Sequence, residues 1–331
     1  MRSLPLRVGT RRSPLALVQT RFFLERLRQA CPVLRMPLFG DQDVFEEHAI
    51  NTTGDAVQDR PLADIGGKGL FAKEIHEALA DRRIDFAVHS LKDLETELPS
   101  GIVLACTLTR EDARDALIYG PACHSFPAGH GMQAGNDPAD PYAALPLGAR
   151  IGTSSVRRQA QLLHARPDLI CATIRGNVQT RLAKIEAGDF AASLLALAGL
   201  RRLGLEHRAS LVLDPDILVP AAGQGIVGVT VRADDREFLE LLAGIEDPEA
   251  KAVSTAERAL LAELDGSCST PIGGYARLLA DGGLHLTGLV ARTDGSFLLK
   301  RSLQGLVTDA ARLGAELGAS LRADSPRDIF A

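Results

Sequence analysis

Two sets of residues in this 331-residue chain have types and spacings that could do chemistry. One is a single cysteine: "LDGSCSTPIGG", Leu264 to Gly274, sets Cys268 among glycine, serine, threonine and proline, a stretch too small and flexible to form a packed core. A thiolate is the best nucleophile a protein carries, whereas a buried or incidental thiol is the plain alternative for an isolated cysteine. The other is a run of cations. From Ile151 to Lys184 the chain holds Arg157, Arg158, Arg166, Arg175, Arg181 and Lys184 against a single acid, Asp168, and Arg201 and Arg202 follow. The whole chain has a formal net charge of −5, so this local reversal suggests a site for something anionic; a solvated helix face is the competing reading.

Composition narrows the classes. With 46% apolar and 24% charged residues the chain is globular and long enough for two or three domains. The net negative charge gives no support to a nucleic-acid partner. Five cysteines, an odd number without C-x-x-C or Cys/His ligand spacing, argue against a disulfide framework and a metal site, and a reducing cytosol is their natural setting. "MRSLPLRVGTRRSPLAL" has no uninterrupted apolar segment and no later apolar run approaches a membrane span, so a cytoplasmic protein away from membranes is expected.

The elements that must position these residues alternate strand and helix, as an α/β layer fold does. "LRVGT" reads as a strand; Ser13 then caps a helix with Pro14 at its first position, which puts Arg11 at the strand-to-helix turn. "GGKGLFAKEIHEALADRR" reads as a glycine-rich lead into a helix, with Lys68 at its start and Phe71, Ile75 and Leu79 on one face. "IDFAV" is a buried-type strand running straight into "HSLKD", so Ser90, Lys92 and Asp93 fall at a strand's carboxyl end, where open α/β sheets bind ligands; an ion pair of Asp93 with Lys92 is the plain alternative.

Further on, "ARIGTSSVRRQAQLLHAR" reads as a strand, Thr153 and Ser154 as cap candidates, and a helix with Arg157 and Arg158 in its first turn. "ATIRGNVQTRLAKIEAGD" repeats the arrangement with Arg175, Gly176 and Arg181. Cations oppose the positive end of the helix dipole unless an anion binds there, so two such starts favour an anion site. The strand in "VPAAGQGIVGVTVRADD" is expected to rejoin the first lobe, giving two crossings between lobes and a hinged cleft. A helix, the Cys268 loop, three strands with turns at Asp281-Gly282-Gly283 and Asp294-Gly295, and a helix over Thr308 to Ala323 make a small α+β domain. The expected divisions are 1–110 with 224–244, 111–223, and 245–331.

Eight blocks, "TRRSPLAL", "GGKGLFAKE", "AVHSLKD", "GTSSVRRQ", "IRGNVQTRL", "LAGLRRLG", "PAAGQGIVG" and "DGSCSTPIGGYA", resemble in this order the motifs of the porphobilinogen deaminase family over roughly residues 8 to 277. The resemblance implies two periplasmic-binding-protein-like α/β lobes with a small third domain. It also implies a monomeric cytosolic transferase of tetrapyrrole (porphyrin and heme) synthesis that joins four porphobilinogen units head to tail, releasing ammonia, to give hydroxymethylbilane. By the same resemblance Cys268 carries a dipyrromethane cofactor through a thioether, and Asp93 is the catalytic carboxylate.

Arg11, Ser13, Lys68, Ser90, Lys92, Thr153, Ser154, Ser155, Arg157, Arg158, Arg175, Gly176, Arg181, Arg202 and Gln224 are then implied to bind the carboxylate-bearing cofactor and substrate. Bidentate arginines suit such ligands better than lysines. Residues Asn51 to Asp64 are expected to form a mobile lid with Phe71 near its base. Asp64 stands where many relatives carry a basic residue. The rival reading is a non-catalytic, two-lobed binder of organic anions, which would need neither Asp93 nor a third domain with Cys268.

Overall fold

The computed structural model describes residues 4–31, 44–57, 69–123, 140–265 and 270–330. The chain divides into two compact units, one built from 1–57, 67–111 and 226–251, the other from 58–66, 112–225 and 252–331.

In the first unit, β1 (Leu6–Arg11) is followed by Ser13, whose hydroxyl accepts from Ala16 N at the start of α1 (Pro14–Ala30), as the Ser-Pro pair predicts. β2 (Phe45–Ile50) pairs parallel with β1, and β3 (Phe86–Ser90) lies parallel on its other side. β10 (Val227–Arg232) returns from far along the chain and pairs antiparallel with both β3 and β4 (Ile102–Thr107), giving the order β2-β1-β3-β10-β4. All six residues of β10 are buried, as a central strand covered on both faces must be, and its two polar side chains are hydrogen-bonded: Thr230 Oγ1 to His89, Arg232 Nη1 to the Leu79 and Ile84 carbonyls. The core includes Leu6, Val8, Phe23, Leu27, Phe86, Val88, Val229 and Phe238, the last from α7 (Arg236–Ala243). Phe86 meets Phe23 edge-on with centroids 5.6 Å apart and lies 5.1 Å from Phe238.

The helix expected to begin near Lys68 begins later, as α3 (Lys73–Ala80). Gly69 has φ +77, and Leu70 to Ala72 form a turn because Leu70 gives its carbonyl to Gly54 N at 2.8 Å, next to the one-turn helix α2 (Thr53–Ala56). Ile75, Ala78 and Leu79 of α3 are buried with Ile84, Ala87 and Ile102.

The second unit holds a sheet ordered β7-β6-β8-β5-β9, made of β5 (Asp115–Tyr119), β6 (Arg150–Gly152), β7 (Ile170–Ala172), β8 (Ala192–Ala196) and β9 (Leu211–Val212). β6 runs parallel to β7 and β8, while β5 is antiparallel to β8 and β9. Its helices are α4 (Val156–Ala165), α5 (Val178–Glu186) and α6 (Leu197–Arg202).

α8 (Pro248–Glu263) leads to an antiparallel sheet of β11 (Ile272–Leu278), β12 (Gly283–Ala291) and β13 (Leu298–Leu306), closed by α9 (Ala310–Asp324). α8 and α9 approach closely through glycine: a Cβ on Gly314 would lie 2.7 Å from that of Ala259. Gly282 and Gly295 take positive φ in the two expected turns. Two α/β lobes followed by a small sheet-and-helix domain is the architecture the sequence predicts. Among the described residues no helix is long and apolar enough to cross a membrane.

Candidate active site

The sequence-predicted residues that the structure describes fall into two groups, one in each unit. In the first, β3 delivers Ser90 to its carboxyl end and the following turn carries Lys92 and Asp93. Asp93 pairs with Arg11 rather than with its neighbour Lys92: Arg11 Nη1 donates to Oδ2 at 2.9 Å. The rest of the guanidinium is bidentate on Asp55, Nε to Oδ2 at 3.0 Å and Nη2 to Oδ1 at 2.5 Å, and Thr52 Oγ1 also donates to Asp55 Oδ2 at 2.8 Å. Phe71 lies flat beneath, its ring centroid 4.1 Å from Arg11 Cζ. Burial works against the Arg11 charge, but the hydrogen bonds and charges of Asp55 and Asp93 outweigh it and raise its pKa. Asp93 Oδ1 accepts from none of the described residues. Ser90 Oγ donates to Gln19 Oε1 of α1 at 2.9 Å.

Residues 51–57 of the expected lid are tied down by these bonds, and Thr52 is buried; residues 58–64, with Asp64, lie outside the described residues. Behind the strand end sit two buried histidines with ring centroids 5.5 Å apart. His89 bonds Thr230 Oγ1 at 2.9 Å, while both ring nitrogens of His76 lack a partner among the described residues. Burial lowers the pKa of His76 to about 4 and that of His89 to about 3, the latter helped by His76 and Arg11.

In the second unit the cap of α4 is Ser155, not Thr153 or Ser154: its hydroxyl accepts from Arg158 N at 3.4 Å. The other two serve the approach, Thr153 Oγ1 accepting from Ser155 N at 3.1 Å and Ser154 Oγ donating to the Ile174 carbonyl at 2.6 Å. Arg157 and Arg158 are buried and turn onto one carboxylate, Asp115 at the head of β5. Gln224 Nε2 joins them at Asp115 Oδ1, 2.9 Å, and the neighbouring Gly225 carbonyl accepts from Arg202 Nη2 at 2.6 Å. Glu257 of α8, fully buried, accepts from Gly223 N at 2.6 Å and from Ala276 N at 2.7 Å, so the turn bearing Gln224 is anchored to the C-terminal sheet.

The second arginine-bearing helix, α5, is capped by Asn177, whose Oδ1 accepts from Thr180 N at 2.9 Å. Gly176 before it has φ +107, a conformation that favours glycine. Arg175 is buried, and Arg181 Nε donates to the Gly176 carbonyl at 2.9 Å. Arg166, by contrast, pairs with Asp168 and belongs to neither cluster.

The family model for "Porphobilinogen deaminase, dipyromethane cofactor binding domain" matches residues 6–240, and that for the porphobilinogen deaminase C-terminal domain matches 251–323. The chain belongs to the porphobilinogen deaminase family. It is 46% identical over 326 residues to the porphobilinogen deaminase of Paracoccus denitrificans (strain Pd 1222), covering 98% of this chain and 96% of that one. It is also 46% identical over 322 residues to that of Sorangium cellulosum (strain So ce56), 96% and 98% covered. Of solved structures, an arginine-specific periplasmic binding protein of Salmonella typhimurium aligns over 72% of this chain and 91% of its own, at 13% identity and a TM-score of 0.37.

For a porphobilinogen deaminase family member the donor set suits the dipyrromethane group, which carries carboxylates. The capped starts of α4 and α5 carry Arg157, Arg158 and Arg181 in their first turns, and Arg158 Nε is buried without a partner among the described residues. Lys68 and Cys268, the two remaining family positions, lie outside the described residues. The sequence reading passed over Asp55 and Asp115, the acids that the cations of the two clusters grip. The one available signal was an acid opening a buried apolar strand, "DALIY", which must find a cation or stay neutral.

Proposed function

We propose that the chain condenses four porphobilinogen molecules head to tail, releasing ammonia at each step, to give hydroxymethylbilane on a dipyrromethane primer held by Cys268. The match of residues 6–240 to the dipyrromethane cofactor-binding family model carries this reading. When bound, the primer supplies the ring to which new units are added and fixes where growth begins.

Asp93 is the catalytic residue. Loss of ammonia from porphobilinogen is driven by electron release from the pyrrole nitrogen and leaves a cation on the substrate. Arg11 pins Asp93 Oδ2, so Oδ1 remains to accept from the pyrrole N–H and to face the developing charge. At about 4 Å and an effective dielectric near 20 that attraction is roughly 4 kcal/mol, on the order of a thousandfold in rate. The same oxygen takes or returns the protons that the condensation moves. Arg157, Arg158, Arg175 and Arg181, with Thr153, Ser154 and Ser155, hold the acetate and propionate groups; Ser13, Lys68, Ser90, Lys92, Gly176, Arg202 and Gln224 assist, and Phe71 covers Arg11. The C-terminal sheet and its helices form the third, cofactor-attachment domain. The enzyme acts in the cytoplasm as a monomer, without nucleic acid.

Two measurements test this. The intact mass of the purified chain should exceed its sequence mass by a dipyrromethane, and the excess should vanish in Cys268→Ser; an unmodified parent would defeat the reading. Asp93→Ala should keep the excess mass and lose nearly all turnover, so normal turnover would remove Asp93 from its role.

A further inference from the structure

Asp115 has no exposure to solvent and, among the described residues, accepts from Arg157 Nη2 to Oδ2 at 2.8 Å, from Arg158 Nη2 to Oδ1 at 2.6 Å, and from Gln224 Nε2 to Oδ1 at 2.9 Å. The opposite corners of both guanidiniums are fixed too. Arg157 Nη1 donates to the Val219 carbonyl at 2.6 Å, and Arg158 Nη1 to the Leu194 carbonyl at 2.9 Å. Each planar guanidinium is thus held at two points on different strands or loops, and neither can rotate without breaking a buried charge-assisted bond. Arg158 Nε, buried and without a partner among the described residues, is the donor this clamp leaves to a ligand. Two guanidiniums against one carboxylate also leave the pair with one net positive charge, enough for a carboxylate ligand without the cost of two unpaired buried cations.

We propose that Asp115 is a positioning residue of the porphobilinogen-binding machinery. It aims Arg157 and Arg158 at the carboxylates of cofactor and substrate and touches neither itself. This rests on the assignment of those arginines to carboxylate binding made above.

In Asp115→Asn one carboxylate oxygen becomes an NH2 group facing an arginine donor, so one guanidinium must turn away. Measured per cofactor-loaded molecule, with loading counted by intact mass, KM for porphobilinogen should rise about tenfold or more, the equivalent of one lost oriented bond. kcat should change far less. Asp115→Glu, which keeps the charge but moves it by one methylene, should load and fold and still raise KM. A purely structural acid would lower the melting temperature and the loaded fraction while leaving KM per loaded molecule at the parental value, and that result in either variant overturns the proposal. If neither variant loads, nitrogen-15 arginine spectra of the loaded parent decide. Two guanidiniums with slowed Nη rotation support the clamp, and free rotation at every arginine overturns it. A parent without the dipyrromethane mass would instead defeat the functional reading itself.

Discussion

Arg11 spends three guanidinium nitrogens on two carboxylates, and this sharing decides what each acid is able to do. Asp55 takes the bidentate edge and so holds residues 52–57 onto the strand end; Asp93 takes one corner, and its Oδ1 accepts from none of the described residues. Asp55→Ala should therefore cost about 1–3 kcal/mol, the price of a partly buried cation losing its bidentate partner, seen as a lower midpoint in denaturant titration. Cofactor loading should survive the change, because Asp93 and its Arg11 bond remain. Asp115 with the pair Arg157 and Arg158 follows the same pattern: in each cluster an acid that the motifs do not emphasise accepts from the arginines.

At the scale of elements, the arginine-bearing helices depend on how they start. Asn177 caps α5 through its side chain, and Asn177→Ala should lower stability by about 1 kcal/mol. Gly176→Ala should cost more than that, because φ is +107 and a Cβ would come within 2.8 Å of Thr180 Cβ. Thermal unfolding of the two variants side by side checks the order. These starts were legible in the sequence because a cap and its N–H partner are three residues apart, and Ser13 with Pro14 was legible for the same reason. The exact cap of α4 was less so, since Thr153, Ser154 and Ser155 are chemically alike and only the backbone path decides which hydroxyl reaches the first turn. The late start of α3 was not legible at all: it follows from the Leu70 carbonyl being claimed by Gly54, a bond between segments sixteen positions apart.

The whole molecule shows itself in its response to acid. His76 and His89 stay neutral in the native first unit down to about pH 4 and about pH 3, whereas in the unfolded chain they protonate near 6.5. The unfolded state therefore binds protons that the native state refuses as the pH falls below 6.5. Stability is full above that pH and is lost on going down, by on the order of 3 kcal/mol for His76 by pH 4. Melting temperatures at pH 7.5, 6 and 5 should fall in that order. His76→Leu, which replaces an imidazole with no partner by an apolar group of similar size, should flatten the slope; an unchanged slope would remove His76 from this account.

Local patterns in the chain were enough for much of this protein. Apolar periodicity and turn residues specified the strands, the helices and the antiparallel C-terminal sheet, because those preferences act over a few residues. The strand in "VPAAGQGIVGVTVRADD" was expected to rejoin the first lobe, and eight ordered motifs marked the family. The charge partners were settled only by folding. Asp115 meets Arg157 and Arg158 across more than forty residues, and Arg11 meets Asp93 across eighty-two. A cation's partner depends on which strands lie side by side and on how little water reaches them, and neither is written in the spacing of the residues themselves.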